Sequence, residues 1–465
     1  MLLRAQAPRA IFDRRILVRT IGAALGFAAA GDTAAATAVL NCGDAGAGSL
    51  RAAVVSAASG DTIDMSALQC SSISLELGAL VVSVKDLTLV GPATGLAVNG
   101  HPTPPYAQVF VHLGTGTLTL RNMTMQQGVA TSPRGGCVSS NGNVVLDHAN
   151  VNHCSIPFAA AAGCPALGGG VYAKGDLTVL DSTVTTSVAQ CYSGNHFDDF
   201  VRVYGGGLFA GGSMIVRRSS ITDNGVASGS ASHTDLGLGG GLSLHGNLEV
   251  TDSTIARNSG GVADCGLFFT HGRAGGIFVP NSTSYVSITN STISGNVASD
   301  YVGGIFTAGL ITVSNSTIAF NSTMAFTITP QFEYTDLSPG LVSLSANLQS
   351  SIIANNKFDM CNPDTGGTPN DMTGLASGAN NLIMSSASAP AGSLTADPQL
   401  DSLADNGGST QTHKLGAGSP AIAQGNNALG RPFDQRGPGY ARTYAGAVDI
   451  GAFQTGDSPF TNGFE

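Results

Sequence analysis

Residues that could carry out acid–base chemistry or bind a ligand gather in a few segments of a weakly charged chain. Only 11% of the 465 residues are charged, and 63 are glycine. Carboxylates, imidazoles and guanidinium groups transfer protons and bind ions, and tyrosine adds a flat, polar-tipped surface for sugars. The residues predicted to contact a ligand are His196, Tyr204, His233, Asp235, Asp264, His271, Arg273, Asp300 and Tyr301. Asp198, Asp199 and Arg202 are the weaker candidates for catalysis.

These residues also have a simpler explanation. A chain with so few charges must place them on its loops to stay hydrated. No zinc-peptidase, serine-hydrolase, phosphate-loop or EF-hand motif occurs in the sequence. No cofactor is predicted, except that loop aspartates could hold calcium. The net charge of −10 argues against a nucleic-acid partner.

A repeated block places these segments in the fold. It reads Leu248 to Ile255 and recurs as Val286 to Ile293 and Ile311 to Ile318. Seven copies align a first aliphatic column at Leu120, Leu146, Val179, Val216, Val250, Ile288 and Val313. A second column holds Met125, Val151, Val184, Ile221, Ile255, Ile293 and Ile318. Aliphatic residues alternate with polar ones, as in a strand with one buried face.

This repetition predicts an all-β right-handed parallel β-helix in which each repeat is one coil. Glycine runs precede nearly every block, as at Gly205 to Gly207 and Gly239 to Gly241. Asn224, Asn258, Asn296 and Asn321 recur three positions after the second column. Stacked coils would let their side-chain amides bond along the stack, so we expect a structural asparagine ladder.

Coil length varies mainly in one part of the repeat. The stretch from the glycine run to the second column has nearly constant length, whereas the stretch after the ladder position varies widely. We expect the insertions to stack into a ridge along one edge of the solenoid, and the candidate ligand residues lie in them. Such a face is often the binding face of a repeat protein.

The chain divides into five predicted segments. Residues 1–36 have arginines before a short apolar run and resemble a signal peptide, too short to span a bilayer. Residues 37–100 form an N-terminal cap and first coils, with Ser49 capping a short helix that runs through Ala58. Residues 101–356 are the repeats, 357–455 the last coils and an irregular end-piece, and 456–465 a tail. No later stretch is predicted to cross a membrane.

Eight cysteines in an exported chain favour disulfides. Cys42 and Cys70 flank the predicted cap and could close it. Cys154, Cys164, Cys191 and Cys265 lie in or beside the ridge, where staples between neighbouring loops are the simplest arrangement. Cys137 is a further candidate for a disulfide. The pairing remains open, because eight cysteines allow about 105 connectivities.

Motifs at both ends carry a family resemblance. The segment Asn41 to Val54 resembles the N-terminal cap of exported bacterial β-helix proteins. The motifs Asp397-Pro398, Asp405-Asn-Gly-Gly408, Gly418-Ser-Pro420, Asp434-Gln-Arg-Gly437 and Val448-Asp-Ile-Gly451 resemble those of the choice-of-anchor Q family. The repeats between the two ends are similar only in general style to polymorphic outer-membrane proteins and pectate-lyase-like solenoids.

This resemblance implies a secreted or surface-exposed protein of a Gram-negative bacterium, and it implies no known reaction. Family members carry different anchoring tails, so the terminal Gly463-Phe464-Glu465 is either a sorting signal or a disordered end. Asp434 and Arg436 are expected to form a buried or turn-closing pair rather than a catalytic one.

Two functions remain open at this point. The favoured one is an adhesin-like module that binds a polysaccharide or a cell-surface glycan through the ridge. The alternative is a lyase or glycoside hydrolase that cleaves an acidic polysaccharide. Asp147-His148 is weakly similar to an Asp-His pair of pectate lyases, but His148 shares a repeat position with Asn122, Asp181, Arg218, Asp252, Asn290 and Asn315. It is therefore predicted to be a residue of a surface column.

Overall fold

The chain winds as a right-handed parallel β-helix, as predicted. A computed structural model describes residues 35–104, 106–157, 165–192, 202–229, 236–261, 271–299, 301–324, 338–358 and 370–456. Forty-one short strands and one helix are found in these residues, and the strands form four parallel sheets. Each coil contributes strands to the sheets in a fixed order, and every aligned strand pairs with its counterpart in the next coil.

Sheet 1 contains two strands from most coils. The first row is β4 (Leu80–Val82), β7 (Phe110–His112), β10 (Val138–Ser140), β15 (Val171–Ala173), β20 (Leu208–Ala210), β25 (Leu242–Leu244) and β30 (Ile277–Val279). The second row is β1 (Ala36–Ala38), β2 (Thr62–Asp64), β5 (Leu87–Val90), β8 (Thr117–Arg121), β11 (Asn143–Asp147), β16 (Leu177–Leu180), β21 (Met214–Arg217), β26 (Leu248–Thr251) and β31 (Tyr285–Thr289). The rows merge in β34 (Ile305–Ser314), β37 (Leu341–Gln349) and β40 (Met372–Ala379).

Sheet 2 follows sheet 1 around each coil. Its strands are β3 (Ser72–Ser74), β6 (Ala97–Asn99), β9 (Thr124–Gln126), β12 (Asn150–Asn152), β17 (Thr183–Thr185), β22 (Ser220–Thr222), β27 (Thr254–Ala256), β32 (Thr292–Ser294), β35 (Thr317–Ala319), β38 (Ile352–Ala354) and β41 (Leu382–Ile383). The middle residue of each three-residue strand is buried, and its neighbours face outward.

Sheets 3 and 4 border the insertions. Sheet 3 comprises β13 (Ser155–Ile156), β18 (Val188–Tyr192), β23 (Gly225–Gly229), β28 (Ser259–Gly260), β33 (Val297–Ala298), β36 (Ser322–Thr323) and β39 (Lys357–Phe358). Sheet 4 comprises β14 (Ala166–Leu167), β19 (Arg202–Tyr204), β24 (Leu236–Leu238) and β29 (His271–Ala274). The expected insertions lie between these two sheets in sequence, and most of their residues are outside the described ranges.

The two aliphatic columns form the core in the predicted register. Leu146 pairs with Leu120 and Val179, and Val151 pairs with Met125 and Val184. All fourteen column residues are fully buried. Burial of one large aliphatic side chain contributes about 1.5–3 kcal/mol, so the repetition makes this column pair a large contributor to stability.

Close backbone approach explains the glycine runs. A Cβ atom on Gly206 would lie 2.3 Å from the carbonyl oxygen of Gly240 in the next coil. Gly205 has a φ of +64°, in the region that L side chains rarely adopt. Only glycine therefore fits at these positions, where the chain turns into sheet 1.

The asparagine ladder is present and is longer than predicted. The Asn258 Oδ1 accepts hydrogen bonds from the backbone N–H and the side-chain amide of Asn224, at 3.0 Å each. The same pattern continues through Asn296, Asn321 and Asn356 to Asp371, whose carboxylate accepts the last pair of bonds. Burial raises the pKa of Asp371, although bonds from Asn356 and Ser385 oppose that rise.

A serine ladder accompanies it. The backbone N–H of each serine donates to the hydroxyl of the serine in the next coil, at 3.1–3.3 Å. The ladder consists of Ser182, Ser219, Ser253, Ser291, Ser316 and Ser351, and it ends on the Oδ1 of Asn381. Both ladders satisfy buried backbone donors at the corners where the chain leaves the sheets.

The N-terminal cap is helix α1 (Leu50–Ser56), and the Ser49 side chain accepts a bond from the Ala52 N–H as predicted. The helix is two residues shorter than expected because the Asp61 carboxylate takes the Ala58 N–H. A disulfide joins Cys42 to Cys70 with a Cα–Cα distance of 6.4 Å, which confirms the predicted closure of the cap.

The second fully described disulfide differs from the expected loop staple. Cys154 pairs with Cys137 of the same coil, and both residues are buried in the main core. Cys137 directly precedes β10 and Cys154 lies between β12 and β13, and the winding of the coil brings their Cα atoms to 5.3 Å from each other. Cys191 is also disulfide-bonded, whereas Cys164 and Cys265 lie outside the described residues.

The end-piece is irregular, as predicted, and it folds back over sheet 2. Residues 395–456 contain no helix or strand beyond isolated bridges. Asp434 and Arg436 form a buried ion pair of 2.7 Å, and the Arg436 guanidinium lies 4.0 Å from the ring centre of Tyr440 and 3.8 Å from that of Phe453. The expected structural role of this pair is confirmed. In the described part of the chain, no helix is both long and apolar enough to span a membrane.

Candidate functional site

The C-terminal end-piece divides the outer surface of sheet 2 into a covered and an uncovered part. The Thr254 hydroxyl donates to the Gln411 carbonyl at 2.6 Å, and the Thr292 hydroxyl donates to the Gln435 side chain at 2.6 Å. The Thr317 hydroxyl accepts a bond from the Ala452 N–H at 3.1 Å. Strands β27, β32, β35 and β38 are therefore buried on both faces.

The six strands before β27 are uncovered, and we call the outer surface of the last four of them, β9, β12, β17 and β22, the open face. Its first row is Thr124, Asn150, Thr183 and Ser220, and its second row is Gln126, Asn152, Thr185 and Thr222. These side chains are exposed or half-buried and carry only hydroxyl and amide groups. With strands about 4.8 Å apart, the four strands span about 14 Å along the solenoid axis.

Left-handed turn residues border the open face on the side of sheet 1. The column predicted from the repeats has φ between 47° and 53° at all seven positions: Asn122, His148, Asp181, Arg218, Asp252, Asn290 and Asn315. Asparagine and aspartate tolerate this conformation better than most residues. His148 lies in the predicted column and is exposed, but the column is not at the surface along its whole length, because the end-piece covers Asn290 and Asn315 and buries them.

Ion pairs neutralise the carboxylates of this border. The Arg121 Nε lies 2.7 Å from Asp147 Oδ2, and the His148 Nδ1 lies 2.7 Å from Asp147 Oδ1. Arg218 contacts both oxygens of Asp181 at 2.6 Å. Burial raises the pKa of Asp147, but the hydrogen bonds from His148 and Arg121 together outweigh it and leave the pKa below its ordinary value.

The same border holds a group with the donor types of a metal site. Ligand atoms of Asp147, His148 and Asp181 lie within 4.8 Å of one another. A cation here would have to displace Arg121 and Arg218 from the carboxylates, since both aspartates already accept bonds from them. The group therefore fits an ion-paired surface better than a calcium site. Calcium among the ridge aspartates stays a prediction.

The border continues under the end-piece. Asp252 accepts a 2.7 Å bond from Arg431 of the end-piece. Burial raises the pKa of Asp252, and the charge of Arg431 opposes this rise. An arginine of the end-piece thus takes the place that Arg218 fills for Asp181 on the uncovered coils.

Five of the predicted ridge residues are at least partly described. Arg202 and Arg273 are exposed on β19 and β29 of sheet 4, and the backbone of His271 begins β29. Tyr204 packs against Phe209, His245 and Phe278, with ring centres 6.0–6.5 Å apart. This packing joins Tyr204 to a row of aromatic residues on the outer face of sheet 1.

Tyr301 is the fifth described ridge residue, and the remaining candidates lie outside the described ranges. Tyr301 contacts Phe306 at 5.8 Å. His196, Asp198, Asp199, His233, Asp235, Asp264 and Asp300 lie outside the described residues. Their predicted convergence stays a prediction.

Sequence reasoning missed the aromatic row and the open face. The row consists of Tyr172, Phe209, Phe278 and Phe306, and Tyr172 stacks on Phe209 at 5.6 Å. Its signal was present, because each residue follows a glycine run by two positions. The open face had no comparable signal, since it exists only where the distant end-piece stops.

Comparison with known proteins bears on the fold. No protein-family model and no curated protein matches the chain. Among solved structures, the chain is similar to one described as the crystal structure of pectate lyase Pel9A, with a TM-score of 0.53 and 13% sequence identity. The match covers 91% of this chain and 98% of that one. At this identity the likeness shows a shared parallel β-helix architecture, and the resemblance to the choice-of-anchor Q family stays a prediction.

Proposed function

We propose that this protein is exported and binds an extended glycan along the open face without cleaving it. On this proposal it is an adhesin-like protein, secreted by a Gram-negative bacterium or held at its surface. The observation that carries the proposal is the pair of uncovered hydroxyl and amide rows on β9, β12, β17 and β22. The inserted ridge remains a second predicted contact surface.

The end-piece supports this use of the face. It is an irregular segment that rests on the same column of sheet 2 and bonds to Thr254, Thr292 and Thr317. The column continues onto the open face as Ser220, Thr183 and Asn150. A glycan offers donors and acceptors of the same kind, and hydroxyl and amide side chains can pair with either.

The charges of the border favour binding over cleavage. General acid–base catalysis needs a group whose pKa lies near the working pH. The hydrogen bonds from His148 and Arg121 lower the pKa of Asp147, and Arg218 holds Asp181 in a bidentate pair. These carboxylates are suited to holding their arginines in place beside a ligand.

The test is binding of the mature chain to immobilised polysaccharides, with and without calcium. The double variant Asn150→Ala/Thr183→Ala removes part of the first row and is expected to weaken binding at least about tenfold, or about 1.4 kcal/mol. The matched control is Thr178→Ala, an outward-facing threonine on sheet 1 of the same coil as Thr183. Equal binding by the double variant and the wild type would contradict the proposal.

A lyase or hydrolase acting on an acidic polysaccharide is the second candidate. The group of Asp147, His148 and Asp181 beside two arginines favours it, as does the fold shared with a protein described as a pectate lyase. Its test is the release of unsaturated or reducing-end products from acidic polysaccharides. Product release that is abolished by Asp147→Asn, or by Asp198→Asn with Asp199→Asn, would establish this function in place of the first.

A further inference from the structure

A pocket of about 320 Å³ lies on the outer face of sheet 1, on a different sheet from the open face. Its floor is formed by β7, β10 and β15, and the segment around Pro133 and Arg134 forms one wall. The Gln108 side chain donates to the Arg134 carbonyl at 2.9 Å, and Arg134 bridges to Leu167 of the next coil. The backbone of this wall is thereby tied to the solenoid.

The pocket holds a positive charge, the exposed guanidinium of Arg134. Arg121, Arg218 and Arg257 each pair with an aspartate. Within the described ranges, the Arg134 guanidinium has no carboxylate partner and instead lies 5.1 Å from the ring centre of Tyr172. The Tyr172 ring in turn stacks on Phe209. Arg134 is therefore an exposed cation held by an aromatic platform, and no carboxylate of the described residues competes for its guanidinium.

The lining restricts what an anion in the pocket can look like. Val111, Leu113 and Pro133 supply apolar surface, and Leu113 is 51% exposed. Ser139 and Asn141 add polar groups at the floor. An arginine binds a carboxylate through two parallel hydrogen bonds. A free phosphate or sulfate would leave the apolar wall uncovered, whereas a ring that carries a carboxylate would cover it.

We propose that this pocket binds a small ligand whose carboxylate is carried on a single six-membered ring. Arg134 pairs with the carboxylate, and the ring lies against Leu113, Pro133 and Tyr172. The volume falls at the lower end of the range for small-molecule sites and suits one ring. An acidic sugar and an aromatic acid share this chemistry. The site is separate from the open face, so it does not depend on glycan binding there.

Calorimetric titration of the mature chain with D-glucuronate and with benzoate tests the proposal and distinguishes the two sources. Methyl glucoside and benzamide are the uncharged probes, and saturable binding of at least one acid but neither neutral probe is expected. Arg134→Gln should weaken binding at least tenfold, and Arg134→Lys should recover only part of the affinity because a lysine pairs through one point charge. Arg217→Gln removes an equal charge from the same sheet and should leave binding unchanged.

Ser139→Phe provides a second test, because it fills the pocket while it keeps Arg134. Loss of binding in this variant, with unfolding temperature within the range of the wild type, supports a site in the pocket. Binding that survives both Arg134→Gln and Ser139→Phe would overturn the proposal. So would the absence of saturable binding of either acid to the wild type.

Discussion

Replacing the buried Asn258 with alanine should destabilise the solenoid far more than the same substitution of an exposed asparagine. Asn258 is fully buried, and its side chain makes four hydrogen bonds of 2.9–3.0 Å. The variant strands the buried N–H of Asn224, whose partner is the Asn258 Oδ1. An unpaired buried donor costs about 1–3 kcal/mol, and each further lost bond about 0.5–1.5 kcal/mol. Together these contributions give an expected loss of about 2.5–7.5 kcal/mol.

Urea unfolding and native-state hydrogen exchange measure this effect. We expect a lower urea midpoint and faster exchange of the Asn224 amide and its neighbours, because each coil is stabilised mainly by adjacent coils. The control is Asn347→Ala, an exposed asparagine on β37, which should change stability by less than about 0.5 kcal/mol. Equal midpoints for the two variants would refute the idea that the ladder stabilises the corner.

Three further effects follow from the core and the end-piece. Burial lowers the pKa of His413 below the ordinary 6.5, so the stability that the neutral side chain contributes is present above that pH and is lost as the pH falls. The variant His413→Gln should therefore flatten the pH dependence of the unfolding temperature below pH 6.5. An unchanged pH profile would contradict this. The Cys137–Cys154 disulfide joins residues 17 positions apart. Replacing both cysteines with alanine should lower the free energy of unfolding by about 3 kcal/mol, measured by chemical unfolding. A loss below about 1 kcal/mol would contradict this expectation. The variant Arg436→Met removes the ion-pair partner of the buried Asp434 and should cost about 3–5 kcal/mol. Limited proteolysis should then cut residues 395–456 before it cuts the solenoid. Simultaneous cleavage of both parts would show that the end-piece does not unfold separately.

The parts of the fold that could be predicted from the sequence are those that repeat in every coil. Val250 and Ile255 lie in the register that the alignment predicted, because stacking places equivalent residues of successive coils one above another. The asparagine ladder follows from the same rule. The serine ladder obeys it too, since Ser219 and Ser253 each come one residue after a turn column, but hydroxyl groups gave no distinctive pattern among so many serines and threonines.

The remaining features depend on contacts between distant residues. Arg431 reaches Asp252 across 179 positions, and no periodicity connects an irregular segment to the coil that it covers. One boundary of the open face lies where the end-piece stops covering sheet 2, so this boundary could not be derived from the strands alone. The Cys137–Cys154 pair likewise depends on how one coil closes, which the spacing of the cysteines did not reveal.

The most direct test of the central claim is to incubate the mature chain with each polysaccharide that it binds and to follow new chain ends over time. If the open face binds a glycan without cleaving it, the polymer is retained at its original length with no rise in unsaturated or reducing ends. A steady release of such ends, lost on Asp147→Asn substitution, would contradict this account and identify the border of the open face as an active site.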